Sequence, residues 1–349
     1  MQEGRVERFR SWASFTVLVL PMLFLAVSIP VCSQAAERRA VVTVKVDLAA
    51  TAGARQVHLW IPYPMSDENQ EISDVAVSGN YSAMAVYREG RFGNTILHAE
   101  WTTPESGKML AYSFCIRRKE VGTNDIPDDV PVPYGKEFEK YLAPTTFGPT
   151  DGTAREYSAR ITEERRSNLA KAAAIYACVV ENMYRDPEVK GCGLGEVNTL
   201  LKKPGGKCAD IHSVFVTLAR AAGVPAREIF GIRLPKGKEG DMTKTQHCWA
   251  EFYTPGYGWV VVDPADVRKA VLEKKITLDD AKPYREYYFG AVDENRVAFG
   301  TGRDIRLNPP QAGGSLNYFM YPYAEADGKP LNEDLYGFNI GYTIRFRES

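Results

Sequence analysis

Short apolar alternations follow residue 37 and predict a β-rich N-terminal domain. Each run is bounded by turn residues, as Pro62 and Gly90 illustrate. The runs are Val41–Val46, Gln56–Ile61, Ala83–Tyr87, Thr95–Trp101 and Leu110–Ile116. Short strands at such spacing are typical of antiparallel sandwiches. We therefore predict an all-β, sandwich-like domain over residues 37–123.

Prolines dominate the next segment, residues 124–152. They are Pro127, Pro131, Pro133, Pro144 and Pro149. Because proline lacks a backbone donor and favours an extended predecessor, this segment is predicted to be a surface linker between two domains.

Helical periodicity begins after the linker and predicts an α+β core over residues 153–270. Apolar residues three and four apart within 162–186 predict an amphipathic helix that Pro187 ends. A second helix begins near Cys208, and Gly223 with Pro225 ends it. Three strands are then predicted, over Ala226–Leu234, His247–Tyr253 and Trp259–Asp263.

Two further segments are less regular. The polar stretch from Pro235 to Gln246 predicts a mobile surface loop. Residues 271–349 are rich in aromatic side chains and are predicted to form an extension packed on the core; a carbohydrate-binding surface is the alternative. The aromatic residues are Tyr284, Tyr287, Tyr288, Phe289, Tyr318, Phe319, Tyr321 and Tyr323.

The first 36 residues have the features of a signal peptide. A start with three arginines precedes an apolar run without charges from Phe15 to Val31, and the small residues Ser33 and Ala35 follow. A retained transmembrane anchor is the alternative, since about 20 apolar residues span a bilayer. We expect a periplasmic or secreted protein that touches the membrane only through this segment if it is uncleaved.

Composition and charge limit the classes of partner and cofactor that we expect. The chain has 349 residues, a formal net charge of −1 and 44% hydrophobic residues, which suits a soluble globular protein. Its basic residues are scattered, so nucleic acid is not expected as a partner. With Cys32 in the signal segment, five cysteines remain, which permits up to two disulfides, for example Cys178 with Cys192, and one free thiol. The spacings do not indicate a metal or cofactor site.

Cys208 is the strongest candidate nucleophile. It follows the turn Pro204–Lys207 and lies at a predicted helix start, where unpaired N–H groups and the helix dipole stabilise a thiolate. Gly205 and Gly206 are expected to let a substrate backbone approach closely.

A predicted hairpin brings His247 and Asp263 together. If Thr254–Gly258 is the turn of an antiparallel hairpin, two residues that face each other across the strands have numbers that sum to about 512. Asp263 then lies opposite Trp249 and is a diagonal neighbour of His247. The same parity is expected to turn Cys248 into the apolar layer and away from the site. His212, four residues after Cys208, is expected to be a satisfied helix-surface histidine, with a substrate contact as the alternative.

Three ordered blocks resemble the core of the transglutaminase-like superfamily, across roughly residues 160–268. They are Gly206-Lys207-Cys208-Ala209-Asp210, Leu218-Ala219-Arg220-Ala221-Ala222-Gly223-Val224-Pro225-Ala226-Arg227, and His247-Cys248-Trp249-Ala250-Glu251 with Gly258-Trp259 and Asp263-Pro264. The resemblance implies a papain-like fold with a helix-borne cysteine packed on an antiparallel sheet. It also implies that Cys208 attacks an amide carbonyl, His247 transfers the proton and Asp263 orients the imidazole. His212 departs from the pattern, since many members carry a small or apolar residue there.

The expected function is cleavage or transfer of amide bonds through a thioester acyl-enzyme. Hydrolysis is favoured over amine transfer because water is always available and no amine site is recognisable. Expected substrates are protein, peptide or peptidoglycan-like amides. The alternative is a catalytically silent binding or scaffold protein that uses the same fold.

Overall fold

The computed structural model describes residues 35–104, 107–122, 125–130, 132–332, 335–337 and 339–349. Nearly all of the predicted signal segment lies outside these residues. Within the described ranges, we find no helix with the length and apolar character needed to cross a membrane. The described residues from Ala35 to Ser349 belong to one packed unit.

Two five-stranded antiparallel sheets form the predicted sandwich, with strands numbered in chain order. The first sheet contains β10 (Glu239–Asp241), β16 (Gly341–Glu348), β1 (Glu37–Asp47), β6 (Met109–Lys119) and β3 (Gln70–Gly79), in that spatial order. The second contains β15 (Lys329–Pro330), β14 (Tyr323–Ala326), β2 (Val57–Pro62), β5 (Thr95–Trp101) and β4 (Ala83–Arg88).

Alternation along the strands builds the sandwich core. In β1 every second residue from Ala40 to Val46 is buried, and β6 buries every second residue from Leu110 to Ile116. These rows join one apolar cluster with Leu59 of the opposite sheet. The all-β prediction for this region is therefore confirmed, although β3 was missed because it is largely exposed and contains a bulge after Ser73.

Strands from later in the chain complete both sheets. Ile344 of β16 pairs with Val44 of β1, and β14 pairs with β2. The segment 235–246 was predicted to be a surface loop, and this is wrong for part of it. It supplies β10, which pairs with β16, and the fully buried Met242, because the outer edge of β16 offers free backbone groups.

A third, four-stranded antiparallel sheet carries the α+β core. Its spatial order is β12 (Gly258–Val262), β11 (Gln246–Thr254), β9 (Ala226–Arg233) and β13 (Arg296–Thr301). Ala250 pairs with Val262, which is the predicted hairpin register. Ala250 belongs to the main apolar cluster, whereas Trp249 belongs to a separate cluster on the other face.

Helix α5 (Cys208–Ala221) packs against β9 and β11. The other helices are α1 (Glu139–Leu142), α2 (Gly152–Ile161), α3 (Asn168–Asn182), α4 (Val197–Leu200), α6 (Pro264–Lys274) and α7 (Lys282–Tyr287), and β7 (Tyr184–Arg185) with β8 (Gly205–Gly206) forms a short parallel pair. The helix predicted within 162–186 is shorter than expected. The Ser167 hydroxyl accepts a hydrogen bond from Ala170 N and so caps α3 at Asn168.

The proline-rich segment packs on the core. The Asp129 carboxylate accepts hydrogen bonds from the backbone N–H groups of Asn168 and Leu169, both at 2.9 Å, and thereby holds the start of α3. The Phe138 and Tyr253 rings lie 4.4 Å apart. The later aromatic residues named above are all buried; they are Tyr318, Phe319, Tyr321 and Tyr323.

Candidate active site

The carboxylate of Asp210 fixes the start of α5, where Cys208 is the first helical residue. Its Oδ2 accepts a hydrogen bond from Lys207 N at 2.9 Å, and its Oδ1 accepts one from Gly195 N at 2.8 Å. One carboxylate thus ties the helix start to the preceding loop. The first N–H groups of a helix have no intrahelical acceptor, and that of Ala209 donates to the Cys192 carbonyl oxygen at 2.9 Å.

The glycines around the helix start accommodate the protein's own side chains. A Cβ at Gly206 or Gly193 would collide with Asp210, and a Cβ at Gly205 would collide with the Tyr184 ring. The expectation that Gly205 and Gly206 admit a substrate backbone is therefore corrected. Asp210 and Tyr184 already occupy the space that these glycines leave open.

His247 and Asp263 lie together as the hairpin register predicted. His247 Nε2 is 2.8 Å from Asp263 Oδ2. Asp263 follows β12 directly and caps α6, since its Oδ1 accepts a hydrogen bond from Asp266 N at 2.8 Å. The cap holds the carboxylate in place for the imidazole.

Two residues that the sequence analysis did not assign to the site also hold Asp263. His212 Nε2 lies 3.1 Å from Asp263 Oδ1, and Arg296 Nη1 lies 2.5 Å from Oδ2. Arg296 also donates from Nη2 to Asp266 Oδ2 at 2.9 Å. His212 is fully buried, so the expectation of a surface histidine is wrong: α5 turns this residue toward the sheet.

Sequence signals for these two residues are weak. His212 stands four residues after Cys208 and departs from the family pattern, but neither feature indicates a contact with Asp263. Arg296 lies 33 residues after Asp263 and belongs to no local motif. The one sequence feature that marks Arg296 is its position as a charged residue at the start of an apolar strand. A charged residue there is ordinarily interpreted as a surface residue.

Three thiols meet at the site. The Cys192 and Cys248 thiols lie close enough to Cys208 to lower its pKa, and Cys248 Sγ lies 3.4 Å from His212 Nδ1. Cys248 does enter the apolar layer, as predicted, but this does not take it away from the site. The reason is that α5, which carries Cys208, packs on that same face of the sheet.

The five described cysteines are all free, within the predicted limit of two disulfides. Cys192 Sγ lies 3.4 Å from the Gln246 carbonyl oxygen. Cys178 Sγ lies 3.5 Å from Asn182 Nδ2, within its own helix. The suggested Cys178–Cys192 pair therefore does not form.

Electrostatics at the site favour a thiolate and a protonated imidazole. Hydrogen bonds from Cys192 first, then from Cys248, and the nearby His247 hold the pKa of Cys208 well below its ordinary value against the effect of burial. Burial and Arg233 oppose the charge on His247, but Asp266 and Asp263 outweigh them and raise the His247 pKa.

Asp263 is held ionised. Burial acts to raise its pKa, but Arg296, followed by His247 and His212, keeps that pKa well below the ordinary value. Ligand atoms of His247, Asp263 and Asp266 lie within 4.8 Å of one another, a grouping that could hold a metal ion. Both carboxylates already accept hydrogen bonds from Arg296, whose guanidinium supplies the positive charge there.

The structure thus brings Cys208, His247 and Asp263 to one place. Both reactive groups are nearly covered: Cys208 is 1% exposed and His247 is 5% exposed. A cavity of about 350 Å³ is lined by Tyr321, a neighbour of the Cys192 thiol.

Comparisons with known proteins identify the family of this chain. A sequence profile described as the transglutaminase-like superfamily matches residues 155–264. An uncharacterized protein of Haemophilus influenzae is 37% identical over 316 residues, which cover 82% of this chain and 85% of that protein.

One solved structure shows the same fold. This structure, described as a proposed cysteine protease from Cytophaga hutchinsonii, aligns with a TM-score of 0.54 at 14% identity and covers 90% of this chain and 99% of that chain. The periplasmic domain of TgpA from Pseudomonas aeruginosa aligns with a TM-score of 0.35 at 15% identity, over 69% of this chain and 92% of that chain. The α+β core behind its sandwich is the predicted fold class, and the chain belongs to the transglutaminase-like superfamily.

Proposed function

We propose that this protein is a cysteine enzyme that cleaves or transfers amide bonds, with hydrolysis as its main reaction. One observation carries the proposal. His247 lies 2.8 Å from Asp263 and interacts with the buried thiol of Cys208, whose pKa is held well below its ordinary value, first of all by Cys192 and Cys248. A thiolate, an imidazolium and an orienting carboxylate are the parts of an activated cysteine nucleophile.

The reaction follows from these roles. Cys208 Sγ attacks the amide carbonyl carbon, and the negative charge moves to the carbonyl oxygen. The Cys208 N–H at the helix start can stabilise that charge. The intermediate collapses as the C–N bond breaks, and His247 gives its proton to the departing amine, which leaves a thioester. His247 then removes a proton from water, whose oxygen attacks the thioester and releases a carboxylic acid and Cys208.

Asp263 acts through His247 in this scheme. It accepts the Nε2–H bond, so that the other ring nitrogen is available for the Cys208 thiol. Proposed substrates are peptides, proteins or peptidoglycan-like amides. The signal-like first 36 residues support a periplasmic or secreted site of action.

A catalytically silent binding protein is the second candidate, and the near-complete burial of Cys208 favours it. An enzyme must admit both its substrate and water to this thiol. The two functions therefore differ in whether Cys208 reacts with an electrophile at neutral pH.

The test is alkylation by iodoacetamide at pH 6 to 9, with the Cys208-containing peptide quantified by mass spectrometry. The enzyme proposal expects fast Cys208 labelling well below a pH of about 8.5, the ordinary thiol pKa. His247→Ala should slow the labelling at pH 6, and Cys178→Ala is the matched control. Labelling with a midpoint near 8.5 in the unmodified protein would instead support the silent binding protein.

Turnover is tested separately with a set of peptide amides, with and without a primary amine. Cys208→Ala should abolish release of the carboxylic acid. Product that is mainly the new amide when amine is present would identify a transferase instead of a hydrolase.

A further inference from the structure

A polar cavity lies on the face of the core sheet opposite α5. It has a volume of about 560 Å³ and is lined by Arg118 of β6 together with Trp249 and Trp259 of the core sheet. Trp249 belongs to an apolar cluster separate from the one that contains Cys208. The cavity is therefore distinct from the thiol site.

Strand alternation explains how a guanidinium comes to be there. Every second residue of β6 from Leu110 to Ile116 faces the sandwich core, and Arg118 is the next in the same row. At this end of the strand the row reaches the core sheet, where Arg118 Cζ lies 5.9 Å from the Trp249 ring centroid. Gln70 joins the two sheets at the same edge through hydrogen bonds with the backbone of Ala298.

Arg118 is buried and its charge is not matched by a direct partner. Its exposed fraction is 3%. Across the residues that the structure describes, Nε has no hydrogen-bond partner and no carboxylate lies in ion-pair contact with the guanidinium. A buried guanidinium without an acceptor is costly, and the terminal nitrogens face a cavity large enough for a ligand.

Neighbouring charges select among anions. Arg227, the second cation at the cavity, is already paired with Glu251 at 2.6 Å and stacks 4.0 Å from the Trp259 ring. The cavity lining also contains Asp67 and Glu68. Among the described residues, Arg118 has no carboxylate in direct contact, although Asp67 acts on its charge from a distance. The lining carboxylates repel a dianion such as phosphate more strongly than a monoanion, so a monoanion in direct contact with Arg118 is the anion that suits this cavity. The indole rings suit an apolar or aromatic body.

We propose that this cavity binds a monocarboxylate with an aromatic or apolar body, whose carboxylate pairs with Arg118 and whose body packs on Trp249 and Trp259. The site does not depend on the amide-bond chemistry proposed for Cys208. Both a small carboxylic acid and the C-terminal residue of a peptide carry this group.

The probes are N-acetyl-L-phenylalanine and its primary amide, titrated into the full chain and followed by calorimetry. Charge-assisted hydrogen bonds should make the acid bind on the order of tenfold more tightly than the amide. Equal affinity for the acid and the amide overturns the proposal. So does the absence of detectable binding of the acid at about 10 mM, a concentration at which even a millimolar affinity would be detected.

Variants locate the binding. Arg118→Met should remove the preference for the acid, and Arg118→Lys should retain part of it. Arg117→Met is the matched control, because Arg117 is the preceding residue of β6 and pairs with Glu71 at the surface. If Arg118→Met does not fold, the comparison of acid and amide in the unchanged protein still decides.

Cys208→Ala separates this site from the thiol site. It should leave the affinity for the acid unchanged, whatever it does to amide turnover, and loss of binding in this variant overturns the proposal. A tetrapeptide ending in phenylalanine, compared with its C-terminal amide, identifies the source. Tighter binding than N-acetyl-phenylalanine indicates a peptide end, and weaker binding indicates a small carboxylate.

Discussion

Arg296 Nη1 lies 2.5 Å from Asp263 Oδ2, and both side chains are fully buried. The pair places a permanent positive charge behind the carboxylate that orients His247. Arg296 also contacts Asp266, which pairs with Arg233 as well, so two guanidinium groups balance these two buried acids. Such a pair matters most when it is broken, since the remaining charges have no water to solvate them.

Arg296→Met should therefore destabilise the protein strongly. We expect a loss of about 3–5 kcal/mol in the free energy of unfolding, measured by urea denaturation. Arg285→Met is the matched control: Arg285 pairs with Glu181 at the surface, where a salt bridge contributes about 0–1 kcal/mol. Equal losses in the two variants would contradict the central role of Arg296.

Cys192→Ala should raise the Cys208 pKa. The Cys192 thiol has the largest effect among the groups that lower the Cys208 pKa. Its removal therefore leaves the thiolate charge less well stabilised. The measurement is the pH dependence of Cys208 alkylation, whose midpoint should move upward. Cys178→Ala is the control and should leave the midpoint pH of labelling unchanged. An unchanged midpoint in Cys192→Ala would contradict the role of the Cys192 thiol.

His212→Ala should separate stability from thiol reactivity. His212 is bonded to Asp263 Oδ1 but not to Cys208, so its loss leaves a buried acceptor less satisfied. A cost of about 1–3 kcal/mol is expected in thermal or urea denaturation. Cys208 labelling should keep its rate in His212→Ala and slow in His247→Ala; the reverse pattern would make His212 the base.

Stability should fall in acid as the buried aspartates become protonated. The Asp293 pKa is lowered to about 2: burial opposes this, and Arg296 and Arg233 outweigh it. A depressed folded-state pKa contributes stability above the unfolded value of about 3.9 and loses it as the pH falls toward the folded value. The free energy of unfolding should thus drop between about pH 4 and pH 2, less steeply in Asp293→Asn. The exposed Asp279→Asn should retain the full slope.

Gly193→Ala should disturb the start of α5. Gly193 has φ +89°, and a Cβ there would meet the Asp210 carboxylate that holds the helix start. Gly256→Ala is the control, because Gly256 has φ +80° in a turn with open space around it. Gly256→Ala should cost about 1–2 kcal/mol of backbone strain, and Gly193→Ala more, with slower Cys208 labelling. Equal effects would mean that Asp210 adjusts freely.

Local features of the site could be predicted from the sequence. The start of α5 at Cys208 follows from the turn before it, and the end near Gly223 follows from a stop signal. The pairing of Ala250 with Val262 follows from the length of one short turn. Such features depend on residues close together in the chain, so a single sequence contains them.

Features that join distant segments could not be predicted. Nothing near Arg118 indicates that it faces Trp249, and nothing near Cys192 indicates that its thiol meets Cys208. The prediction that Cys248 points away failed for the same reason. Strand parity gives the face of the sheet, but only helix packing decides what covers that face.

The sequence by itself determined the α+β class, the helix-borne Cys208 and the approach of Asp263 to His247, because periodicity, caps and turn length act over a few residues. The tertiary structure alone decided that Arg296 and His212 share Asp263 and that β16 completes the first sheet. Those contacts link residues far apart in the chain, and burial of the whole core selects them.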